Sequence, residues 1–416
     1  MKKLSLALIP LVCLVAFSAS AQVQAVRGFD VYDSVGVNTH WTFGSPYKYL
    51  PNFNALISKL QNARIHHFRD GEQGAGYNTP SWVTSMYSQL DAAGLKANLI
   101  VSYPQTIDQL ENGLQKYPGL ESIEMMNEWD IAGGSNWVSS IRQMLPIAHQ
   151  AGIDLGIPIL GPSLVQSSSF SKLGDISRYL TYGNIHDYQG NRNPETPGWG
   201  GYDAQGNAYG SILWNQDMAH QYAPGLPVIS TETGFQTGSW SGAIPETVEG
   251  TYAPRVYLAR FKRGIKHTYM YELVDDPSGS TYGLLRSNLS SKPAYTAIAN
   301  MLEMLEDSNA PFTPGKLPYS LTGNTANVET LLMQKSGGQY WLAVWINKSI
   351  WDVDKHVAVP VPPQQITLSI SNGMNAGFGV FFQPNGSVSK VWPSSSKYTF
   401  NVSSCLTLIR IYWPGK

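Results

Sequence analysis

Cysteine is nearly missing from this chain: its 416 residues include two. One of them, Cys13, lies in an N-terminal run that reads as a removable leader, so Cys405 is the single thiol expected in the mature protein. That excludes an intrachain disulfide, and a fold of this length has to rest on its buried core. Cys405 sits in the apolar, strand-like run 404–413, which points to a buried structural thiol rather than a nucleophile. Charge is scarce as well. Charged residues make up 14% of the chain and nearly cancel, to a net −1. Without a basic stripe, neither nucleic acid nor an anionic membrane surface is an expected partner. No apolar run beyond residue 17 is long enough to predict a membrane span.

Several catalytic signatures are missing too. No glycine-rich phosphate turn follows the first strand-like segment, which argues against an open dinucleotide-binding sheet, and no cofactor is expected. His-Glu-x-x-His and Cys/His zinc spacings are absent. His66 and His67 are adjacent, but His40, His186 and Asp187 would have to converge from distant segments to hold an ion, so no metal is expected. The Gly-x-Ser-x-Gly elbow of serine hydrolases is absent. There is no internal repeat and no low-complexity tract.

What is present begins with Met1-Lys2-Lys3, an apolar stretch over 4–17 and Ala19-Ser20-Ala21. This is the pattern of a secretory signal, with cleavage expected after Ala21, and it predicts a secreted or periplasmic bacterial protein. Aromatic residues reach 12%, including 12 Trp and 23 Tyr. Many lie among Gly, Pro, Asn and Ser. Rings set in weakly charged loops suit a neutral, hydroxyl-rich ligand, whose C–H faces stack on them; any one ring, taken alone, is more readily core.

Eight strand-like segments follow in order: 35–40, 65–70, 96–102, 122–130, 157–161, 184–188, 227–231 and 267–273. Most are followed by a helical pattern, such as 52–63, with Phe53, Leu56, Ile57 and Leu60 at helical spacing, and 137–151. Alternating strands and helices predict a parallel sheet. Eight units over this length predict a (β/α)8 TIM barrel at 22–306, after the signal peptide at 1–21. Beyond a Pro/Gly break at 309–315 the period changes to two. The runs 328–334, 339–347, 365–371, 377–383 and 406–412, with Asn-Gly turns at 372–373 and 385–386, predict an antiparallel β-sandwich at 307–416. The short linker predicts that it docks on the barrel. It reads as a stabilising companion or as a carbohydrate-binding domain.

The stretch 122–130 organises the rest. It opens apolar and ends on Asn127, Glu128, Trp129 and Asp130. A barrel builds its active face from such strand ends. Glu232 ends the seventh segment in a matching context. Placed on one rim, these carboxyls converge with Asn38, His40 and Trp41 from the first strand, Arg69 and Asp70 from the second, His186 and Tyr188 from the sixth, and Tyr271 and Glu272 from the eighth. Two carboxyls facing one acetal supply a proton to the leaving oxygen and negative charge beside the oxocarbenium ion. Glu128 is the expected acid/base and Glu232 the expected nucleophile. Arg69 either keeps Glu232 ionised or pairs with Asp70. Asn127 would bind a hydroxyl beside the attacked carbon, and His186 and Tyr188 would orient a carboxylate.

Asn127-Glu128 on strand four and Glu232 on strand seven resemble the clan A glycoside hydrolases. His186, Tyr188 and Arg69 are similar to further clan positions. Gly36-Val37-Asn38-Thr39-His40, Leu160-Gly161-Pro162 and Lys292-Pro293-Ala294-Tyr295 look most like family 39 and related bacterial polysaccharide hydrolases. The resemblance covers about 30–306, and the trailing sandwich also fits. It implies a retaining hydrolase acting on a polysaccharide or oligosaccharide, with His40, Trp41, Trp129 and Tyr271 joining the substrate contacts, and a monomer is expected. Two positions depart from the clan pattern: Trp129 stands where Pro is common, and Tyr271 where Trp is common. The competing expectation is a polysaccharide-binding protein on an inactive barrel.

Overall fold

The computed structural model of the protein describes residues 22–44, 47–72, 79–101, 105–238, 240, 242–277 and 279–414. The expected leader, 1–21, lies outside the described residues. Eight parallel strands form one sheet: β1 (Val35–Asn38), β2 (His67–Gly71), β3 (Lys96–Val101), β4 (Leu120–Met125), β5 (Ile159–Leu160), β6 (Gly183–His186), β7 (Val228–Thr233) and β8 (Thr268–Met270). Each pairs with its sequence neighbours, and β8 returns to β1 through Thr268–Val35, Tyr269–Gly36 and Met270–Val37. Between β5 and β6 the contact narrows to a single parallel bridge, Leu160 to Tyr182, which closes the barrel.

Helices wrap the strands where the 3.6-residue period placed them. Phe53–Ala63 buries Leu56, Leu60 and Ala63. Trp137–Leu155 runs four residues past the expected end and stops at Gly156, whose φ of +68° suits a glycine cap. The interior of the barrel is polar, although such interiors are usually filled by branched aliphatic residues. Asn38, Asn98, Glu124, Asn184 and Thr231 are all buried. They bond across strands: Asn38 Nδ2 donates to the Thr231 carbonyl at 3.0 Å, Asn98 Nδ2 to Glu124 at 3.2 Å, and Thr231 Oγ1 to Asn184 at 2.8 Å. Buried polar groups are tolerated in this way when each finds a partner.

The C-terminal domain is a sandwich of a six-stranded and a four-stranded sheet. All five strands read from sequence are present, and Lys316–Gly323, Val388–Val391 and Lys397–Val402 join them. One correction concerns the start of the barrel, expected at residue 22. Gln22–Gln24 pairs with Lys316–Pro318 of the four-stranded sheet, and Val26–Arg27 pairs with Met333–Gln334 of the six-stranded sheet, so the first strands belong to the sandwich. The two domains share a core that includes Tyr252 and Val256 from the barrel and Trp345 and Leu408 from the sandwich. Within it, the Trp345 indole N–H donates to Glu195 at 2.6 Å, and Arg255 Nη1 donates to the Ser404 carbonyl at 3.1 Å while pairing with Glu195. Cys405 is buried there as expected, 3.6 Å from Thr251 Oγ1. Among the described residues, no helix is long and apolar enough to cross a membrane.

Candidate active site

At the end of β4 the chain turns sharply. Glu128 adopts φ 48° and ψ 36°, a left-handed backbone that disfavours a residue with a side chain by roughly 1–3 kcal/mol. Its surroundings hold it there. The Glu128 amide faces the Ser163 carbonyl at 3.1 Å and Oγ at 3.2 Å, and its own carbonyl accepts from Ile131 and Ala132 as the short helix Trp129–Ala132 begins. Asp130, buried beneath, accepts from the amides of Val165 and Gln166 and so ties this turn to the β5 loop.

The carboxyl of Glu128 faces that of Glu232. One oxygen of each, together with a nitrogen of His186, lies within 4.8 Å of the others. His186 Nδ1 is 2.8 Å from Glu128 Oε1 and 3.7 Å from Glu232 Oε2. The Glu128 side chain is 31% exposed and that of Glu232 13%, so the first is open to an incoming molecule and the second sits at the floor. Tyr188 OH donates to Glu232 Oε2 at 2.9 Å.

Arg69 is the hub below. Its Nε and Nη2 bind the two oxygens of Glu124 at 2.6 and 2.7 Å. Its Nη1 binds Glu232 Oε1 at 2.7 Å and Asn38 Oδ1 at 2.8 Å, and Nη2 also reaches Asn127 Oδ1 at 2.7 Å. Of the two roles open to Arg69, the contact with Glu232 is the one present. The pairing with Asp70 is replaced, because Asp70 accepts instead from Trp41 N, Gly71 N and Thr39 Oγ1.

These contacts shape the electrostatics. Burial pushes the Glu232 carboxyl toward its neutral form, but the charges of His186 and Arg69 and the Tyr188 hydrogen bond outweigh it, and the group is held below the ordinary carboxylate range despite opposition from Glu128. Glu128 is held low chiefly by its hydrogen bond to His186, with burial opposing and the His186 and Arg69 charges assisting. Burial pushes the Tyr188 phenol well up, and the negative charge of Glu232 adds to that, so it stays a donor.

A second pair lies at the β8 side of the mouth. The Tyr271–Glu272 peptide is cis, and His40 Nε2 stands 3.0 Å from the buried Glu272 Oε2. Burial works against an imidazolium at His40, yet Glu272, Asp70 and Glu232 together raise its pKa. Tyr271 presents its ring edge to His40 and to Tyr282, each at 5.8 Å between centroids, and Tyr282 meets Tyr188 at the same distance, forming an aromatic wall.

Eight of the expected site residues therefore gather at one mouth: Glu128, Glu232, Asn127, Arg69, His186, Tyr188, His40 and Tyr271. Two do not. Trp41 is fully buried and packs on Tyr49, Phe53 and Phe68, away from the cleft. Trp129 turns back over Gly133 and packs half-buried against the core cluster around Ile141 and Phe170. Sequence reasoning missed Glu124, Ser163 and Tyr282. Glu124 alone left a signal: it lies two residues from Ser122 in the same strand, so both share the buried inward face.

The histidines weighed for a metal do not converge with one another. His66 meets Tyr32 OH, His67 lies between Asp33 and Glu121, and Asp187 pairs with Arg260. Among the described residues, the grouping with ligand-like spacing is Glu128, His186 and Glu232. There the guanidinium of Arg69, in contact with Glu232, already supplies the positive charge that a cation would bring.

No family model and no curated protein matches the sequence. Solved structures do. A family 39 glycoside hydrolase from the gut symbiont Bacteroides cellulosilyticus WH2 superposes with a TM-score of 0.61 at 14% identity, over 92% of this chain and 82% of that one. A second structure, described as a glycoside hydrolase, gives a TM-score of 0.51 at 11% identity, over 92% of this chain and 93% of the other. At these identities the likeness shows the fold, and its coverage takes in both domains: the chain has the barrel-and-sandwich architecture of these two glycoside hydrolase structures.

Proposed function

We propose that the protein is a retaining glycoside hydrolase that cleaves O-glycosidic bonds of an extracellular polysaccharide, exported by its N-terminal leader and acting as a monomer. The observation that carries this reading is the pair of glutamates at one mouth, with oxygens inside 4.8 Å of each other and His186 touching both. Retaining pairs stand about 5–5.5 Å apart, whereas inverting pairs need about 6.5–9.5 Å to admit a water. The fold shared with glycoside hydrolases supports the same reading.

Glu232, kept ionised by Arg69 and Tyr188, attacks the anomeric carbon as the bond to the leaving oxygen breaks. Glu128 gives that oxygen its proton, then takes one from the water that releases the sugar. Both free carboxyls are held low, and for Glu128 the leading cause is its hydrogen bond to His186. A bound sugar covers the exposed Glu128, and the lost hydration raises its affinity for the proton it has to deliver. Asn127 has its Oδ1 committed to Arg69, which leaves its amide end for a sugar hydroxyl. Tyr271 and Tyr282 offer ring surface to the sugar's apolar face.

The test is Glu232→Gln on a panel of polysaccharides, with the first-formed anomer of the wild-type product read by NMR. The expected result is retention in the wild type and a binding-competent variant without turnover. An inverted product, or a variant as active as the wild type, would overturn the mechanism. Binding without hydrolysis by the wild type would mark an inactive barrel.

A further inference from the structure

The β6 loop and the sandwich leave an open groove of about 590 Å³ between them, a size within the usual range for ligand sites. Residues 192–197 of the loop form one wall. The other includes sandwich residues 347–349, 351–354 and 359, on and beside the small hairpin Trp351–Asp352 with Val357–Ala358. Asn193, Asn327, Asn347, Asp352 and Arg192 line the groove together with the half-buried Trp351. Amides, a carboxylate and an indole lining one groove match a pyranose, whose edge is hydroxyl and whose face is C–H. The charges are already matched, Arg192 with Asp354 and Lys355 with Asp352, which suits an uncharged ligand.

The walls are fixed before anything binds. Asn193 Nδ2 donates to Asn347 Oδ1 at 2.7 Å across the domain boundary. Arg192 pairs with Asp354 at 3.3 Å and stacks 4.5 Å over Trp199. Asn193 and Glu195 are both gripped by the buried Arg255. A prebuilt wall lowers the ordering cost of binding. The groove is also close to the chemistry. Tyr188, bonded to Glu232, precedes Asn193 by five residues, a span of at most about 18 Å of extended chain.

We propose that this groove is a second carbohydrate subsite, built jointly by barrel and sandwich, which holds distal units of the same neutral polysaccharide chain that Glu128 and Glu232 cleave. The proposal rests on the glycosidase reading above. It makes the sandwich part of substrate recognition, with remote binding energy available to orient the scissile bond.

The probe is an oligosaccharide size ladder cut from the neutral polymer that the wild-type protein hydrolyses, titrated calorimetrically into the Glu232→Gln protein. Affinity should step up by about tenfold once the chain is long enough to reach the groove. Trp351→Ala, which removes the ring, and Val359→Trp, which fills the space from an exposed position, should each abolish that step while leaving short-chain affinity intact. Val359→Trp carries the test if Trp351→Ala disturbs the hairpin. A step that survives both variants, or short oligosaccharides that bind as tightly as long ones, would overturn the subsite and leave the glycosidase reading standing. If the wild type hydrolyses no polymer in a broad panel, that reading fails, and the subsite with it.

Discussion

Arg69 and Glu232 meet at 2.7 Å, and the same guanidinium clasps both oxygens of Glu124 on its other edge. One cation therefore serves two carboxylates, one buried for good and one at the floor of the cleft. Arg69→Lys keeps the charge but cannot reproduce this fork. Breaking a buried pair destabilises by roughly 3–5 kcal/mol, so the melting temperature should fall. With Glu232 less well held, kcat should drop by about a hundredfold or more. Calorimetry and steady-state kinetics read the two effects separately. Wild-type kcat and stability in the lysine variant would contradict the shared-cation account.

His186 governs the pH profile, because it depresses both carboxyls. It is the leading cause of the low pKa of Glu128 and the first of the opposing influences that bring Glu232 down against burial. The rising acid limb of kcat/KM follows ionisation of Glu232. Replacing His186 with Asn removes the influence that does most to bring Glu232 down, so its pKa rises. The acid limb should move to higher pH, with a lower maximum. An acid limb that keeps its position, or moves to lower pH, would remove His186 from this role.

The period of the sequence reports only on regular segments, and this sets what was legible. All eight barrel strands, the helices at 53–63 and 137–155 and most of the sandwich strands follow from it. Trp41 does not. It lies just past β1, where no period dictates a face, and the turn after it sends the ring onto Phe53 and Phe68 rather than into the cleft. Trp129 opens a short helix, and its ring lies over Gly133 and packs half-buried on the core, where no local period announces it. The rest of the polar barrel interior was hidden because Asn38, Asn98 and Asn184 find their partners on strands remote in sequence. Residues 22–27 are too short to show alternation, and they become strands only because the sandwich supplies partners.

The buried contact between Trp345 and Glu195 predicts that the domains unfold together. Glu195 and Arg255 are fully buried at the boundary, and the indole completes their hydrogen bonding. Trp345→Phe keeps the packing but deprives the carboxylate of a donor, and should destabilise by about 2 kcal/mol. Differential scanning calorimetry should show one transition in the wild type and one, at lower temperature, in the variant. Two separate transitions in the wild type would mean that the interface does not couple the domains.

At the opposite end of the barrel, His67 predicts a pH dependence of stability unconnected with catalysis. It is buried between Asp33 at 3.1 Å and Glu121 at 2.8 Å. Burial alone would lower its pKa, but hydrogen bonds and charge from the two carboxylates raise it to about 10. His267, whose ring lies 5.3 Å away, is pushed down to about 4 by its own burial and by the His67 charge, so it stays neutral beside it. An unfolded histidine titrates near pH ~6.5. The stabilisation from the His67 imidazolium is therefore complete below that pH and is lost as pH rises through about 10. On the acid side, Asp33 is held below its ordinary value by His67 despite burial, so its contribution is lost as pH falls below the unfolded aspartate range, near pH ~3.9. His67→Gln should lower stability by about 2 kcal/mol between these limits, with the gap to the wild type closing progressively toward pH 10. Urea melts of both proteins across that range give the comparison, and a gap that stays constant or widens with rising pH would show that His67 does not carry its charge in the folded barrel.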